Sequence, residues 1–391
     1  MIIKSLADID LYICTMQQAI LHQFPSTQVR FEFNCRTKNA GLDKLVNRVR
    51  DEIQSIGELK YTNDELSFIR NLRFIKSDYV EFLKIFRLNP ENVKVWVDAD
   101  NQLKISATGS WLHQIYWEVM ILAIVSELNT EMQCHTSNAM GDEQLFQEKL
   151  QLFQKEVPSN FKFSEFGTRR RLSRVWHNYV VQELKRTCGD HLVGTSNVWL
   201  AMEHDLTPIG TMAHQWIMAG QGMQETRLVN HQKYMLEAWC NEYRGDLGYA
   251  LTDTIGMDAF LKDFDLYLAK LYDGCRLDSG DMDVAIDKLI KHYELLRIDP
   301  KTKAAIPSDN LDFARAFELT RTWGDKINVS CGIGTYLTNK CRQDVTPVSI
   351  VMKMTECNGQ AVAKISDEPQ KAMCEDAEYL QYLKSVFGVS V

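Results

Sequence analysis

From about Lys162 onward, short apolar segments of the chain alternate with longer amphipathic segments. The short segments read as strands at Phe163–Phe166, His191–Val193, Thr207–Ile209, Gly248–Leu251, Leu271–Cys275, Ala304–Ile306 and Ile327–Ser330, and the helices between them include Glu225–Tyr243, Asp281–Leu296 and Asp309–Trp323. Repeated strand–helix units build parallel sheets, because each helix returns the chain in a right-handed crossover. We therefore predict an α/β fold whose main unit is an irregular (β/α) barrel of the TIM type, with an open doubly wound sheet as the alternative.

The first third of the chain and its tail show a different pattern, with signs of antiparallel pairing. Val29–Phe33 alternates apolar and polar residues strictly, as a half-buried strand does. Near the end, Asn358-Gly359 separates the apolar runs Val348–Cys357 and Gln360–Ile365, and this dipeptide favours a tight hairpin turn. We expect the hairpin to rejoin the N-terminal sheet. Residues 1–135 with 345–391 would then form a mixed α/β domain, and residues 136–344 the barrel with most of the active site.

Charge and composition restrict the partners and the compartment. The 391 residues carry a formal net charge of −8, which disfavours general binding to nucleic acids or anionic membrane surfaces. The ten cysteines include no C-x-x-C pair, so we expect reduced thiols rather than a disulfide framework or a zinc site. Asp8 and Asp10 stand where a signal peptide would need apolar residues, and runs such as Val119–Val125 are too short to span a bilayer. These features predict a soluble cytoplasmic protein.

Polar side chains follow six of the predicted strands directly. They are Phe166 to Arg171, Gly194-Thr195-Ser196-Asn197, Gly210 to His214, Thr252-Asp253-Thr254, Arg276 to Asp281 and Gly332-Ile333-Gly334-Thr335. In a barrel the carboxyl ends of parallel strands meet at one face, which is the usual place for an active site. We therefore expect these six segments to surround one site.

Two of the segments contain groups that suit phosphate or phosphoryl chemistry. Arg169, nearest its strand end in the Arg169–Arg171 run, carries a guanidinium fork that matches phosphate or carboxylate, whereas its neighbours include solvated helix positions. His214 closes the Gly-Thr-Met-Ala-His turn and is able to take up protons or phosphoryl groups near neutral pH. A buried histidine bonded to a carbonyl is its plainer alternative.

Two further segments admit both a binding and a structural interpretation. The turn with Gly332, Gly334 and Thr335 is either a phosphate cradle or an ordinary tight turn, and the chain has neither a Walker A sequence nor a G-x-G-x-x-G fingerprint. In Arg276-Leu-Asp278-Ser279-Gly-Asp281, the carboxylates suit ribose hydroxyls or a Mg²⁺ shell, with Asp281 as a tentative outer ligand. Ser279 or Asp281 is alternatively the N-cap of the next helix.

Several segments, in order along nearly the whole chain, resemble the nicotinate phosphoribosyltransferase family. They are Asp10-Leu-Tyr-Ile-Cys-Thr-Met-Gln-Gln, Tyr116-Trp-Glu-Val, Glu165-Phe-Gly-Thr-Arg-Arg-Arg-Leu-Ser, Gly194-Thr-Ser-Asn, Gly210-Thr-Met-Ala-His and Asp278-Ser-Gly-Asp. The resemblance implies synthesis of nicotinate mononucleotide and diphosphate from nicotinate and phosphoribosyl pyrophosphate, the first step of NAD salvage from nicotinate. It also implies coupling to ATP through a phosphohistidine, for which the family is classed with the ligases although the chemistry is a pentosyl transfer.

The resemblance implies a role for each matching residue. The phosphohistidine would be His214, and Asp278 would touch the ribose hydroxyls. The other substrate-binding positions would be Tyr12 and Phe166 around the pyridine ring, Arg276 at the nicotinate carboxylate, Arg169, Gly332, Gly334 and Thr335 at phosphate, and Thr195, Ser196, Asp253 and Ser279. Mg²⁺ would accompany the leaving diphosphate. A homodimer is implied, in which the neighbour's N-terminal segment, with Tyr12, borders the site.

Two positions bear on substrate choice and on coupling. Related nicotinamide enzymes have an aspartate where this chain has Ser196, and an aspartate would repel the carboxylate of nicotinate. The family usually has a glutamate after the phosphorylated histidine, whereas this chain has Gln215, which predicts weaker coupling if that glutamate activates the histidine. The alternatives are a nicotinamide or quinolinate phosphoribosyltransferase and a non-catalytic regulatory relative.

Overall fold

The computed structural model describes residues 1–368, 372 and 374–389. The strands are β1 Gln28–Cys35, β2 Val93–Val97, β3 Leu103–Ser110, β4 Phe163–Glu165, β5 Leu192–Thr195, β6 Arg244–Leu247, β7 Tyr249–Leu251, β8 Gly274–Leu277, β9 Ala304–Pro307, β10 Asn328–Val329, β11 Cys331–Ile333, β12 Ile350–Cys357 and β13 Gln360–Ala361. Helices and strands thus follow one another along the whole chain, as an α/β fold requires.

The helices connect and cover these strands. They are α1 Leu11–Gln23, α2 Val46–Ile56, α3 Asn63–Arg70, α4 Ser77–Ile85, α5 Trp111–Gln114, α6 Trp117–Cys134, α7 Glu143–Glu156, α8 Arg174–Cys188, α9 Val198–Glu203, α10 His214–Ala219, α11 His231–Tyr243, α12 Met257–Asp263, α13 Leu266–Leu271, α14 Met282–Leu295, α15 Phe313–Trp323, α16 Thr335–Thr338 and α17 Ala377–Phe387. Among the described residues, no helix combines the length and the apolar character that crossing a bilayer requires.

One antiparallel sheet joins the two ends of the chain. Its strand order is β13-β12-β1-β3-β2, and β12 pairs with β1 along nearly its whole length. Val29, Phe31 and Phe33 of β1 are buried, because alternate side chains of a strand point to the same face. The turn between β12 and β13 has positive φ at both Asn358 and Gly359, the conformation that this dipeptide favours. The predicted hairpin therefore forms, and it brings the tail beside the N-terminal strands.

The parallel strands form two short sheets with the orders β7-β8-β9-β10 and β11-β4-β5. Ser330 alone separates β10 from β11, so one segment passes from the first sheet to the second. At the far edge, the predicted strand Thr207–Ile209 contributes one isolated bridge, between Pro208 and Thr195. The described strands thus do not close into a barrel, and the TIM-type prediction is not confirmed beyond an α/β fold of mixed helices and sheets.

One predicted strand in this half of the chain, Leu271–Cys275, forms with a later start, as β8 Gly274–Leu277. The apolar run at Leu271–Cys275 overlaps α13, whose first turn is capped by the Asp265 carboxylate accepting from the Leu268 amide at 3.1 Å. β8 begins only at Gly274. Periodicity alone does not distinguish a buried helical turn from a strand in a short apolar run, so the boundary between α13 and β8 was misplaced.

Candidate functional site

The parallel strands and the antiparallel sheet meet at a cavity of about 410 Å³. Its walls come from the carboxyl ends of β4, β8, β9 and β11, from α6 and from β12. They include Arg36, Glu118, Phe166, Arg169, Arg170, His214, Arg276, Asp278, Ser308, Gly334, Thr335, Lys340, Met352, Lys353 and Lys364. Both parts of the chain supply lining residues, so neither builds the cavity alone.

His214 is the first residue of α10 and is buried beside the cavity. Its Nε2 atom lies 2.8 Å from Asp253 Oδ1 and 2.8 Å from Lys364 Nζ. Lys364 Nζ also donates to Asp253 Oδ2 at 2.6 Å, and the Ser279 hydroxyl donates to that oxygen at 2.7 Å. Burial and the charge of Lys364 lower the pKa of His214 to about 4, against the opposing effect of Asp253. The imidazole is therefore neutral at pH 7 and retains a nucleophilic lone pair.

The same cluster has the spacing of a metal site, but its charge does not suit one. Ligand atoms of His214, Asp253 and Asp278 lie within 4.8 Å of one another. The ammonium of Lys364, however, contacts both His214 and Asp253, so a divalent ion at these two ligands would meet a positive charge at contact distance. The residues therefore do not fit a resident metal ion, because Lys364 already supplies the cation.

Asp278 and Arg276 form a second charged group at the end of β8. Asp278 Oδ2 accepts from Arg276 Nη2 at 3.1 Å, and Asp278 Oδ1 accepts from the Ser308 hydroxyl at 2.8 Å. Burial alone would raise the pKa of Asp278, but the adjacent Arg276 holds that pKa well below its ordinary value. Asp278 Oδ2 is 3.8 Å from His214 Nε2, so a fixed carboxylate links the two groups of the site.

The N-terminal segment approaches the cavity wall through contacts with Ser196 and with Arg169, which lines the cavity. The Ser196 hydroxyl donates to Asp10 Oδ1 at 2.7 Å, and the Leu11 amide donates to the Ser196 carbonyl at 2.7 Å. The Arg169 guanidinium lies 3.4 Å from Asp10 Oδ2 and 5.7 Å from the centre of the Tyr12 ring. Among the described residues, the buried Tyr12 hydroxyl has no hydrogen-bond partner.

The contacts of the N-terminal segment within one chain leave the shared site of the implied homodimer a prediction. The chain's own N-terminal segment already contacts its own site, because Asp10 and Leu11 are hydrogen-bonded to Ser196. Phe166 lines the cavity, and its ring packs directly over Gly332, where an added Cβ would come within 2.5 Å of it. Tyr12 contacts Arg169 rather than lining the cavity itself, so its role at the pyridine ring stays a prediction.

The remaining predicted residues differ in how close they lie to the cavity. Gly334 and Thr335 line the cavity, whereas Gly332 is required for close packing against Phe166. Thr195 lies below the cavity and donates to the buried Glu165 carboxylate at 2.5 Å. Asp281 is exposed and caps α14, where Oδ1 accepts from the amides of residues 283 and 284 at 2.9 and 3.2 Å. For Asp281 the structure thus shows the N-cap interpretation.

Sequence reasoning did not single out several residues that line the cavity, including Arg36, Glu118, Ser308, Lys340, Lys353 and Lys364. Lys353 and Lys364 are lysines within apolar β runs near the tail, and that interruption of an apolar pattern was the available signal. Glu118 Oε1 lies 3.6 Å from Arg169 Nη1 and 3.9 Å from Lys353 Nζ. Burial lowers the pKa of Lys353 to about 8, although Glu118 raises it. Arg170 also lines the cavity, beside the predicted Arg169.

Gln215 turns away from His214 and supports the opposite wall. Its Nε2 donates to Glu118 Oε2 at 2.8 Å, and its Oε1 accepts from Trp111 Nε1 at 2.9 Å. A glutamate at this position would bring a second carboxylate against Glu118. The amide is therefore matched to both of its buried neighbours.

Comparisons with known proteins give one consistent result. Residues 161–391 match the family model described as "Nicotinate phosphoribosyltransferase (NAPRTase) family", and residues 7–126 match its N-terminal domain. The chain is 46% identical over 392 residues to a nicotinate phosphoribosyltransferase of Cupriavidus necator, covering 100% of this chain and 99% of the relative. A relative of the same name from Ralstonia nicotianae is 45% identical over 392 residues, with 100% of each chain covered. The crystal structure of nicotinate phosphoribosyltransferase from Vibrio cholerae superimposes with a TM-score of 0.94 at 38% identity, covering 100% of this chain and 94% of that chain.

Proposed function

The chain belongs to the nicotinate phosphoribosyltransferase family and transfers a phosphoribosyl group to nicotinate; we propose that ATP hydrolysis is coupled to this transfer through a phosphorylated His214. The observation that carries the proposal is the neutral, buried imidazole held between Asp253 and Lys364 at the cavity. A neutral imidazole is a nucleophile near pH 7, whereas a protonated one is not.

The first step of the proposed mechanism is phosphorylation of His214. In the tautomer that donates the Nε2 proton to Asp253, the Nδ1 lone pair attacks the γ-phosphorus of ATP, and ADP leaves with the electrons of the broken P–O bond. Asp253 stabilises the positive charge that develops on the ring, and Lys364 keeps Asp253 ionised. Water later attacks the phosphohistidine and releases inorganic phosphate.

The second step is transfer of the ribosyl group. Nicotinate is bound with its ring near Tyr12 and Phe166 and its carboxylate at Arg276. The glycosidic bond to diphosphate breaks and an oxocarbenium-like charge develops on the sugar, which the fixed carboxylate of Asp278 stabilises while it touches the ribose hydroxyls. The pyridine nitrogen then bonds to the anomeric carbon. In this proposal the neutral hydroxyl of Ser196 does not repel the carboxylate of nicotinate, whereas an aspartate at this position would.

Binding of the polyanionic substrates relies on the charge of the cavity wall. Among the described residues, the cations that line it are Arg36, Arg169, Arg170, Arg276, Lys340, Lys353 and Lys364. Such a concentration of positive charge in a chain of net charge −8 favours phosphate and diphosphate groups. Mg²⁺ is proposed to arrive with these phosphates rather than to reside on the protein. The homodimer, the cytoplasmic location and the closure of the parallel strands into an irregular barrel also remain proposals.

The test is pyridine mononucleotide formation from phosphoribosyl pyrophosphate, with nicotinate and nicotinamide in parallel and with or without ATP. We expect turnover of nicotinate that rises with ATP, and we expect His214→Ala to retain a basal rate but lose the ATP stimulation. His113→Ala is the matched control, since His113 lies outside the cavity lining. Stimulation by ATP that survives His214→Ala would refute the phosphohistidine. A preference for nicotinamide or quinolinate, or absence of product, would favour the alternative functions.

A further inference from the structure

Lys364 reaches the site from a segment that has almost no regular structure of its own. We call residues 362–368, which follow β13, the C-terminal strap. The Val362 amide donates to the Thr355 carbonyl at 3.0 Å, and the Ile365 amide donates to the Thr254 carbonyl at 2.8 Å. The strap therefore crosses from the antiparallel sheet to the end of β7, next to Asp253.

The side chains of residues 363–365 in the strap alternate between two environments. Ala363 and Ile365 pack outward in a small apolar cluster with Ile255 and with Leu383 of α17. Lys364, between them, points the opposite way and reaches His214 and Asp253. The position of the Lys364 ammonium therefore depends on the contacts that hold Ala363 in place.

Gln221 fixes that residue through both ends of its side-chain amide. Gln221 Nε2 donates to the Ala363 carbonyl at 2.8 Å, and Gln221 Oε1 accepts from the Ala363 amide at 2.8 Å. The Tyr379 hydroxyl of α17 also donates to Gln221 Oε1 at 3.0 Å. Gln221 is buried in the short 3₁₀ turn Gly220–Gly222, directly after α10, the helix that begins with His214.

We propose that Gln221 is a positioning residue that sets the Lys364 ammonium against His214 and Asp253, and that Tyr379 orients Gln221 from α17. The inference rests on the proposed function only for its effect on coupling to ATP. The geometric part concerns the free protein. A pair of hydrogen bonds to the N–H and C=O of one residue restrains both the translation and the rotation of the strap at residue 363, which a single bond would not do.

The charged groups around His214 determine how its protonation would change if Lys364 were displaced. Asp253 and Lys364 contact Nε2, and Asp278 lies 3.8 Å from it; Lys353 of β12 acts from farther away. Lys364 is the nearest positive charge, so its withdrawal leaves the imidazole beside two carboxylates. Protonation of His214 then becomes easier, whereas the overall fold need not change.

The experiment is titration of the His214 ring nitrogens by ¹⁵N NMR in the full chain without substrates. We expect Gln221→Met to raise the pH at which His214 titrates by about one unit or more, and Lys364→Met to raise it similarly. The double variant should show no further rise, since Gln221 acts through Lys364. Tyr379→Phe, which removes one hydroxyl, should shift the titration by a few tenths of a unit and serves if Gln221→Met fails to fold.

One control separates positioning from general packing. Tyr382→Phe alters an exposed tyrosine of α17 and should leave the His214 titration unchanged. Gln221→Met should also lower the rate of phosphate incorporation from ATP roughly tenfold without raising the KM for nicotinate. An unchanged titration in Gln221→Met and Tyr379→Phe, or additive shifts in the double variant, would overturn the inference. A shifted titration without any phosphate incorporation in the parent chain would instead refute only the phosphohistidine.

Discussion

Asp8 anchors the N-terminal segment through a fully buried ion pair, and its removal is the sharpest test of the fold around the site. Its carboxylate accepts from Arg171 Nη1 at 2.6 Å and from Arg171 Nη2 at 2.9 Å, and also from Asn197 Nδ2 at 2.8 Å. Arg171 has a second buried partner in Glu127, at 2.7 Å. Asp8→Asn keeps the shape of the side chain but leaves Arg171 with one counter-charge instead of two.

The magnitude follows from the pKa of the carboxyl group. Burial alone would raise the pKa of Asp8, but Arg171 lowers it from 3.8 to about 2. This lowering of the pKa corresponds to about 2 kcal/mol of stability at pH 7. Breaking a buried pair on one side costs about 3–5 kcal/mol, because the remaining charge is left uncompensated. We therefore expect Asp8→Asn to lose about 3 kcal/mol, with Glu127 retaining part of the compensation for Arg171.

The sign of the pH dependence gives a second check. The folded-state pKa of Asp8 is depressed, so its contribution is fully present above the unfolded value near 3.8 and is lost as the pH falls through about 2. Urea unfolding followed by tryptophan fluorescence at pH 7 and pH 3 should therefore show a smaller difference between Asp8→Asn and the parent chain at pH 3. Arg70→Met, which breaks an exposed pair with Glu81, should cost less than about 1 kcal/mol. Equal urea midpoints for Asp8→Asn and the parent chain at pH 7 would show that the pair does not anchor the segment.

Three other substitutions probe the cavity itself. The positive charge of Lys353 is present below about pH 8 and is lost above it, so the KM for phosphoribosyl pyrophosphate should rise above that pH, and Lys353→Arg should abolish the rise; an unchanged profile in Lys353→Arg would exclude Lys353 as its source. Gly332→Ala places a Cβ within 2.5 Å of the Phe166 ring and should cost about 1–3 kcal/mol in urea unfolding together with a higher KM for nicotinate. Ser196→Ala leaves Asp10 without a 2.7 Å donor and should lower stability by about 1 kcal/mol, measured the same way; full stability would show that this bond contributes nothing.

Much of the fold follows from local patterns in the sequence. The alternation in Val29–Phe33 and the turn at Asn358-Gly359 both predict elements that the structure contains, because each depends on a few neighbouring residues. The errors arise where distant partners decide. Thr207–Ile209 has the composition of a strand but makes one bridge only, and the predicted strand Gln360–Ile365 ends at Ala361 because Gln221 binds the next part of the chain.

Sequence reasoning could predict those site residues that lie at the ends of parallel strands. Asp253 and Asp278 follow parallel strands and Arg276 lies near the end of β8, and their convergence with His214 follows from the topology. The lysines that complete the site lie beyond the last parallel strand. Their approach depends on β12 pairing with β1 across more than three hundred residues, and no local pattern contains that information.

The carboxylates and the lysines at the cavity are held by different parts of the fold, so we expect substitutions to affect them separately. Asp253 and Asp278 are held at the ends of hydrogen-bonded parallel strands, and Asp278 is fixed further by Ser308. Lys353 lies on the C-terminal hairpin and Lys364 lies on the strap. Both segments contact the ends of the parallel strands through few hydrogen bonds. A change in the strap therefore alters the cation at His214 while the carboxylates keep their places. For that reason loss of ATP coupling and loss of ribosyl transfer should be separable by substitution, the first through Gln221 and the second through Asp278.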